Sequence, residues 1–253
     1  MTPRSVLAIV LLAATALACV SLGRWQLRRA AQREAIAQAI DAGRQAPPLV
    51  LNALARQQAS GQEWQPAHAS GTWLDGYSVL LDNRNLNGRP GLWLATPLQL
   101  EGTPDTALLV LRGWLPRPVN VSTNNVSANS GHASALRLPE PPHTVRHVQG
   151  QLRLRVPRLY ELWQRGGFDA SALPKVWPAS TAPVVQNLEL DRYAQATGLT
   201  LLPVVLEQTQ LDGLPDDGLI RHWSTPSLDA DKNRGYALQW FGFAAIAGIA
   251  ALG

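Results

Sequence analysis

At 253 residues, with 46% hydrophobic and only 16% charged side chains, the chain is long enough to bury a core but carries less charge than the roughly one quarter usual in soluble domains. Its net charge of +4 and pI near 9.7 come from scattered arginines that never interleave with aromatics, which argues against a nucleic-acid partner. The single cysteine, Cys19, excludes an intrachain disulfide framework and a cysteine zinc site.

The first element is apolar. Val6–Leu22 (VLAIVLLAATALACVSL) carries no charge and is at the short limit for a membrane helix. Ala16–Ala18 imitates a signal-peptide cleavage site, and ALAC a lipoprotein site with Ala16 in place of the usual Leu. The helical pattern, however, continues through GRWQLRRAAQREAIAQAIDAGR without a breaker before Gly43. That continuity favours an uncleaved anchor, so residues 1–43 are expected to be a transmembrane helix with a helical extension.

Residues 44–235 read as a soluble β-rich domain. Tyr77–Asn83 and Leu92–Leu100 are predicted strands, with Asn87-Gly88 and Pro90-Gly91 as turn signals between them. Leu92, Leu94, Leu98 and Leu100 share one face of the second strand by the period of two. Thr106–Pro116 is a third strand, and three strands joined by turns imply an antiparallel meander. Ser122–Ser134 is polar and without period, so a loop is expected. A further strand follows at HVQGQLRLR, then short helices over Pro157–Arg165 and Glu189–Gly198, and a last strand over Leu201–Thr209.

Tyr236–Leu252 is the second apolar run, with Gln239 its one polar side chain apart from the Tyr236 and Trp240 tips. Residues 236–253 are expected to form a C-terminal transmembrane helix, in which Ala244 and Gly248 have small-xxx-small spacing. The chain stops at Gly253 with no polar flank, as a truncated C-terminus would. The predicted fold class is thus an α+β membrane protein, two transmembrane helices flanking a mostly antiparallel, barrel-like β domain with small helices. Arg24, Arg28, Arg29 and Arg33 follow the first span, Lys232 and Arg234 precede the second, and only Arg4 lies outside. By the positive-inside count the middle domain would be cytoplasmic.

No nucleotide-binding glycine loop, HExxH or GxSxG is present, and the five histidines lack zinc-site spacing. Glu189 and Asp191 suit a helix N-terminus better than a catalytic pair. Arg84, Arg89 and Arg112 surround the predicted turn and third strand. They are either partners for a ligand's carboxylates or solvating charges on a hairpin, and composition favours the second. The residues alone therefore describe a membrane-anchored binding or assembly module, with no catalytic cluster and no metal site.

Four blocks in order, LGRWQLRRAAQR, LLDNRNLNGRPGLWLATPL, LVLRGWLPR and DKNRGYALQWFGFA, resemble the signature blocks of the Surfeit-locus-one family of cytochrome c oxidase assembly factors. Residues 118–220 carry little of that signature. The resemblance implies a protein of the bacterial cytoplasmic membrane, multi-pass, with its soluble domain on the periplasmic side. On topology we follow that implication over the arginine count. It further implies a chaperone of the respiratory chain with no catalytic reaction, with oxidase subunit I, haem a synthase and membrane lipid as partners and haem a as a transient cofactor. An alternative is a scaffold that binds subunit I or the synthase without touching haem. The family often carries His three residues before the Tyr of YAxQW; here that position is Asn233, so His222, Tyr236 and Trp240 become the candidate haem contacts. Trp25 and Gln26 on the first run and Gln239 on the second are candidate interhelix or partner residues. A hairpin of the two spans is expected to bring Gln26 to Gln239, or Trp25 to Trp240. Asn233, Tyr236, Trp240 and Phe243 share a helix face that would hold a porphyrin or pack on the first helix.

Overall fold

The structure, a computed structural model, describes residues 2–53, 62–117, 138–139, 143–159, 171–178, 181–209, 217–223, 225 and 228–252. The chain divides into two compact units, Met1–Ala42 with Ser224–Gly253, and Gly43–Trp223.

In chain order the elements are α1 (Pro3–Gln45), β1 (Leu49–Val50), β2 (Pro66–Trp73), β3 (Val79–Leu86), β4 (Arg89–Leu100), β5 (Ala107–Pro116), β6 (Arg146–Arg153), β7 (Val184–Val185), α2 (Leu190–Thr197), β8 (Leu201–Gln208) and α3 (Ala230–Leu252).

The helical unit is α1 and α3. Pro3 occupies the first turn of α1, where its missing N–H costs nothing, and the Thr2 hydroxyl accepts the Ser5 N–H at 3.3 Å. Leu, Ala, Gln and Arg, good helix formers, make up most of the rest, and Pro47-Pro48 follow its end. At about 1.5 Å per residue, α1 is roughly 65 Å long, twice a bilayer's hydrocarbon thickness of about 30 Å. Both α1 and α3 are long and apolar enough to cross a membrane.

The second unit is a barrel-like sheet. Strands β2, β6, β8, β5 and β4 pair in that order and β4 pairs back to β2, which closes the ring. All of these pairings are antiparallel except β5 with β8. The long β4 makes the closure possible. Its second half, through Leu98–Leu100, pairs with Trp73–Gly71 of β2, while its first half pairs with β3. β3 carries β7, and β1 lies parallel on β2. The expected meander is therefore present as β3–β4–β5.

The sheet is buried on both faces where β5 and β8 run. Leu108 and Val110 point into the ring with Leu98, Leu152, Leu202 and Leu206. Leu109 and Leu111 point the other way, onto Trp93, Tyr193, Val205 and Trp223. This double burial explains why TALLVLRGW and LLPVVLE are continuous apolar runs rather than alternating ones. The outer layer is closed by α2, which ends at Gly198 in the left-handed region (φ 73°) with its N–H bonded to the Ala194 carbonyl at 2.8 Å. Tyr193 of α2 is fully buried and donates its hydroxyl to the Tyr77 carbonyl. Burial also pushes that phenol far above its ordinary pKa.

Closing a ring of five strands brings backbones close together. A Cβ on Gly71 would stand 2.1 Å from the Gln99 carbonyl oxygen, and one on Gly150 2.1 Å from that of Glu207. β2 reads PAHASGTW and buries Ala67, Ala69, Gly71 and Trp73 on alternate positions. These small residues give almost no hydrophobic signal, which is why β2 is not predicted from sequence. The β3–β4 turn is only Asn87-Gly88, both at positive φ (51° and 81°), as a two-residue hairpin requires. Pro90-Gly91 is not a second turn but lies inside β4, and a Cβ on Gly91 would stand 2.2 Å from the Trp114 indole. The loop expected at Ser122–Ser134 lies outside the described residues. So does most of the Pro157–Arg165 helix, of which Pro157–Leu159 are described and form no regular structure.

Candidate functional site

The contacts between α1 and α3 run antiparallel. The Phe241 ring lies over Gly23, where a Cβ would meet it at 2.6 Å; Asn233 meets Gln26, and Arg33 meets Asp229. Apart from Glu34 and Gly43, the least exposed positions on α1 are Ile9, Leu12, Ala16, Cys19, Gly23, Gln26, Ala30, Arg33, Ala37 and Ile40. Their steps alternate three and four, the heptad pattern of left-handed helix pairs. On α3 the same alternation picks out Ala230, Asn233, Ala237, Trp240, Ala244, Ala247 and Ala251.

Polarity is graded along this seam. Small and aliphatic residues line it through the apolar runs. Next comes a carboxamide pair, in which Asn233 Nδ2 donates to Gln26 Oε1 at 2.6 Å, with Asn233 buried. Beyond it is a charged clasp. Arg33 donates to the Asp229 carbonyl at 2.6 Å, Arg234 pairs with Glu34 and Asp231, and Lys232 pairs with the Asp229 carboxylate at 2.8 Å. An interhelical hydrogen bond of this kind contributes about 1 kcal/mol in a membrane setting.

The expected partner of Gln26 is thereby corrected. Gln239 stands at nearly the same level, between the Gly23–Phe241 and Gln26–Asn233 contacts, but it is exposed, and the Gln26 carbonyl accepts from Asn233. The reason is angular. Asn233 falls on the three-four seam of α3 and Gln239 does not. Trp25 is exposed too, while Trp240 is half-buried and packs edge-on to Phe243 at 6.0 Å rather than on Trp25. Tyr236 is half exposed, off the seam.

The barrel unit holds charges in its interior. Arg84 is 4% exposed, lies 4.5 Å from the Trp93 ring centroid and donates to the Gln186 carbonyl at 3.1 Å. Arg112 is 5% exposed, lies 5.2 Å from the Trp73 centroid, donates to the Pro139 carbonyl at 3.1 Å and faces Asp217 at 3.6 Å. Burial lowers both guanidinium pKa values to about 10; at Arg112 the Asp217 charge partly offsets it. Neither arginine solvates a hairpin, as composition had suggested. The signal for this is an arginine standing inside an uninterrupted apolar strand, LLVLRGW. Arg221 grips Asp217 with both terminal nitrogens, at 2.9 and 2.6 Å. Burial alone would raise the Asp217 pKa. The Arg221 and Leu219 hydrogen bonds, with the charges of Arg221 and Arg112, outweigh burial and hold the carboxyl below its ordinary range. A third buried charge is Glu207, 2% exposed, whose nearest cation is Arg153 at 3.8 Å. Arg153 also touches Glu63 at 2.8 Å and stacks 3.8 Å from the Trp64 centroid. Burial pushes Glu207 up to about 7, against the attraction of Arg153 and with help from Glu63.

His222 belongs to this unit and is exposed, between Arg221 and the buried Trp223, whose indole N–H donates to the Gln208 carbonyl at 2.8 Å. Among the described residues no group of three or more His, Cys, Asp or Glu is placed to hold a metal ion. The position that the family resemblance associates with a haem ligand is Asn233. Its carboxamide is buried and hydrogen-bonded to Gln26, and a carboxamide is not among the usual ligands of haem iron. This position does not fit an axial ligand.

Fold and seam together define a class: a closed small β-barrel bracketed in sequence by two helices of membrane-spanning length that pair through a seam of small residues. The family model described as SURF1 family matches residues 13–245, nearly the whole chain, and the chain belongs to that family. It is a family of assembly factors associated with cytochrome oxidase. A comparison with curated proteins gave no match.

Proposed function

We propose that this protein is a membrane-anchored assembly factor for cytochrome c oxidase that assists the delivery of haem a into subunit I. In this reading α1 and α3 span the bacterial cytoplasmic membrane, the barrel lies on the periplasmic side, and subunit I and haem a synthase are the partners. The observation that carries it is the family match over residues 13–245, joined to two helices of spanning length at the two ends. Exposed His222 and half-exposed Tyr236 are the side chains open to a porphyrin, and Trp240 adds an aromatic surface. The test is the absorption spectrum of the full chain purified from cells that make haem a. A Soret band weakened by His222→Ala or Tyr236→Phe supports haem handling. Alkaline phosphatase fused after Ser130 is expected to be active, and an inactive fusion overturns the periplasmic placement.

One observation favours a second reading, a scaffold that binds subunit I or the synthase without contacting haem. Asn233 Nδ2 donates to Gln26, and a carboxamide is not among the usual ligands of haem iron. The scaffold predicts copurification with those proteins and no Soret band.

A further inference from the structure

The basic residues at the polar border of α1 and α3 fall into two groups. Arg33, Lys232 and Arg234 are engaged by Asp229, Glu34 and Asp231. Arg24, Arg28 and Arg29 are exposed and make no ion pair among the described residues. The remaining acid of this unit, Asp41, stands about three turns beyond Arg29. Three guanidinium groups are thus left without a counter-charge immediately after the apolar run ends.

Their arrangement is directional. At about 100° per residue, Arg24, Arg28, Trp25 and Arg29 cover an arc of about 140° on the side of α1 away from the seam. Trp25 is 51% exposed in the middle of that arc. On the preceding turns the same arc presents Leu17 (70% exposed), Ala18 and Ser21, with Leu22 (39% exposed) at its edge. One helix surface therefore offers an apolar strip followed, within two turns, by Arg24, the amphipathic Trp25 indole, Arg28 and Arg29. The step from apolar strip to indole and guanidinium groups matches the step from acyl chain to glycerol and phosphate in a lipid, and an arginine fork, reaching outward on its long stem, suits a phosphate diester.

We infer that Arg24, Arg28 and Arg29 bind the headgroup phosphates of anionic phospholipids, with Trp25 at the glycerol level and Leu17 and Leu22 against the acyl chains. This rests on the membrane-anchored reading proposed above. It also accounts for basic residues on a border that the positive-inside count would place elsewhere, because the counter-charge is supplied by lipid.

The test uses the full chain reconstituted into phosphatidylcholine vesicles containing a minor fraction of brominated lipid, either phosphatidylglycerol or phosphatidylcholine, with tryptophan fluorescence as the readout. Stronger quenching by the anionic brominated lipid is expected, decreasing as salt is raised. Each arginine is expected to contribute about fivefold to the preference, so R24Q/R28Q/R29Q loses about a hundredfold. R24K/R28K/R29K keeps most of it, which shows that a loss in the glutamine variant is one of charge and not of fold. Equal quenching by the two lipids, in protein that resists carbonate extraction from the vesicles, overturns the inference alone. Protein that never enters the vesicles overturns the membrane reading and this inference with it. Loss of subunit I copurification in the glutamine variant, without any lipid preference in the parent, assigns the arginines to an acidic protein surface and overturns the lipid assignment.

Discussion

Replacing Glu207 with Gln should remove a specific pH dependence from the stability of the barrel. Glu207 is 2% exposed, with Arg153 from β6 at 3.8 Å as its nearest cation and Glu63, from the turn before β2, adding repulsion through the same cluster. Its folded pKa of about 7 lies above the ordinary value of 4.5, so between those pH values the folded chain binds a proton that the unfolded chain releases. Stability from this group is fully present below pH 4.5 and is lost as pH rises through 7. At about 1.4 kcal/mol per pH unit the full change is about 3 kcal/mol. For a unit of this size that is about 6 to 12 °C in Tm. Thermal unfolding of the full chain in detergent, followed through its nine tryptophans, measures it. The informative quantity is the Tm of Glu207→Gln minus that of the parent. It should be small near pH 4.5 and rise to several degrees by pH 8, with the glutamine more stable there. Asp217, whose pKa is depressed, loses its contribution at the acid end in both proteins and cancels in the difference. A difference flat from pH 5 to 8 would refute a buried, destabilised carboxylate at this position.

Three further outcomes follow from the packing. Gly150→Ala should cost about 1 to 3 kcal/mol, because its Cβ would stand 2.1 Å from a backbone oxygen, whereas Gly76→Ala, with nothing within 4 Å, should change denaturant midpoints by less than about 0.5 kcal/mol. A double-mutant cycle of Gln26→Leu and Asn233→Leu, read by unfolding in detergent, should give a coupling of about 1 kcal/mol; zero coupling denies the carboxamide pair. Arg84→Met should be tolerated better than Arg84→Ala, by about 1 to 2 kcal/mol in urea unfolding, because Met retains contact with the Trp93 ring and a long apolar chain replaces a buried guanidinium whose Nε has no hydrogen-bond partner among the described residues.

The parts of the fold legible in the sequence are those with strong periodic or turn signals. The β3–β4–β5 meander follows from its aliphatic runs and Asn87-Gly88, and α2 from its closing Gly198. Leu92, Leu94, Leu98 and Leu100 are all buried, the first two in a cluster with Leu80 and Leu115 and the last two in the ring core, but Trp93 and Ala95 on the other face are buried as well. Alternation cannot show that a sheet is covered on both sides. β2 is illegible because ring closure demands Ala67, Ala69 and Gly71, whose identity is fixed by steric room and not by hydrophobicity. The helix pair has the same property. Its heptad steps pass through Ala16, Gly23, Ala30, Ala37, Ala237, Ala244 and Ala247, residues that a search for large apolar stripes overlooks. Gln239 reads as the polar residue in need of a partner and Gln26 as its candidate; that Gln26 meets Asn233 and Gln239 lies exposed follows from the rotational phase of α3, which the sequence does not show.

The order of the described strands has a consequence for how partners bind. Its two outermost members are β1 and β7, each of two residues. A visiting peptide that joined the sheet on β1 or β7 would find a row of only two residues to copy. Strand donation onto these two outermost strands is disfavoured by their length. At β1 and β7, then, a partner would be met through side chains more readily than through strand pairing.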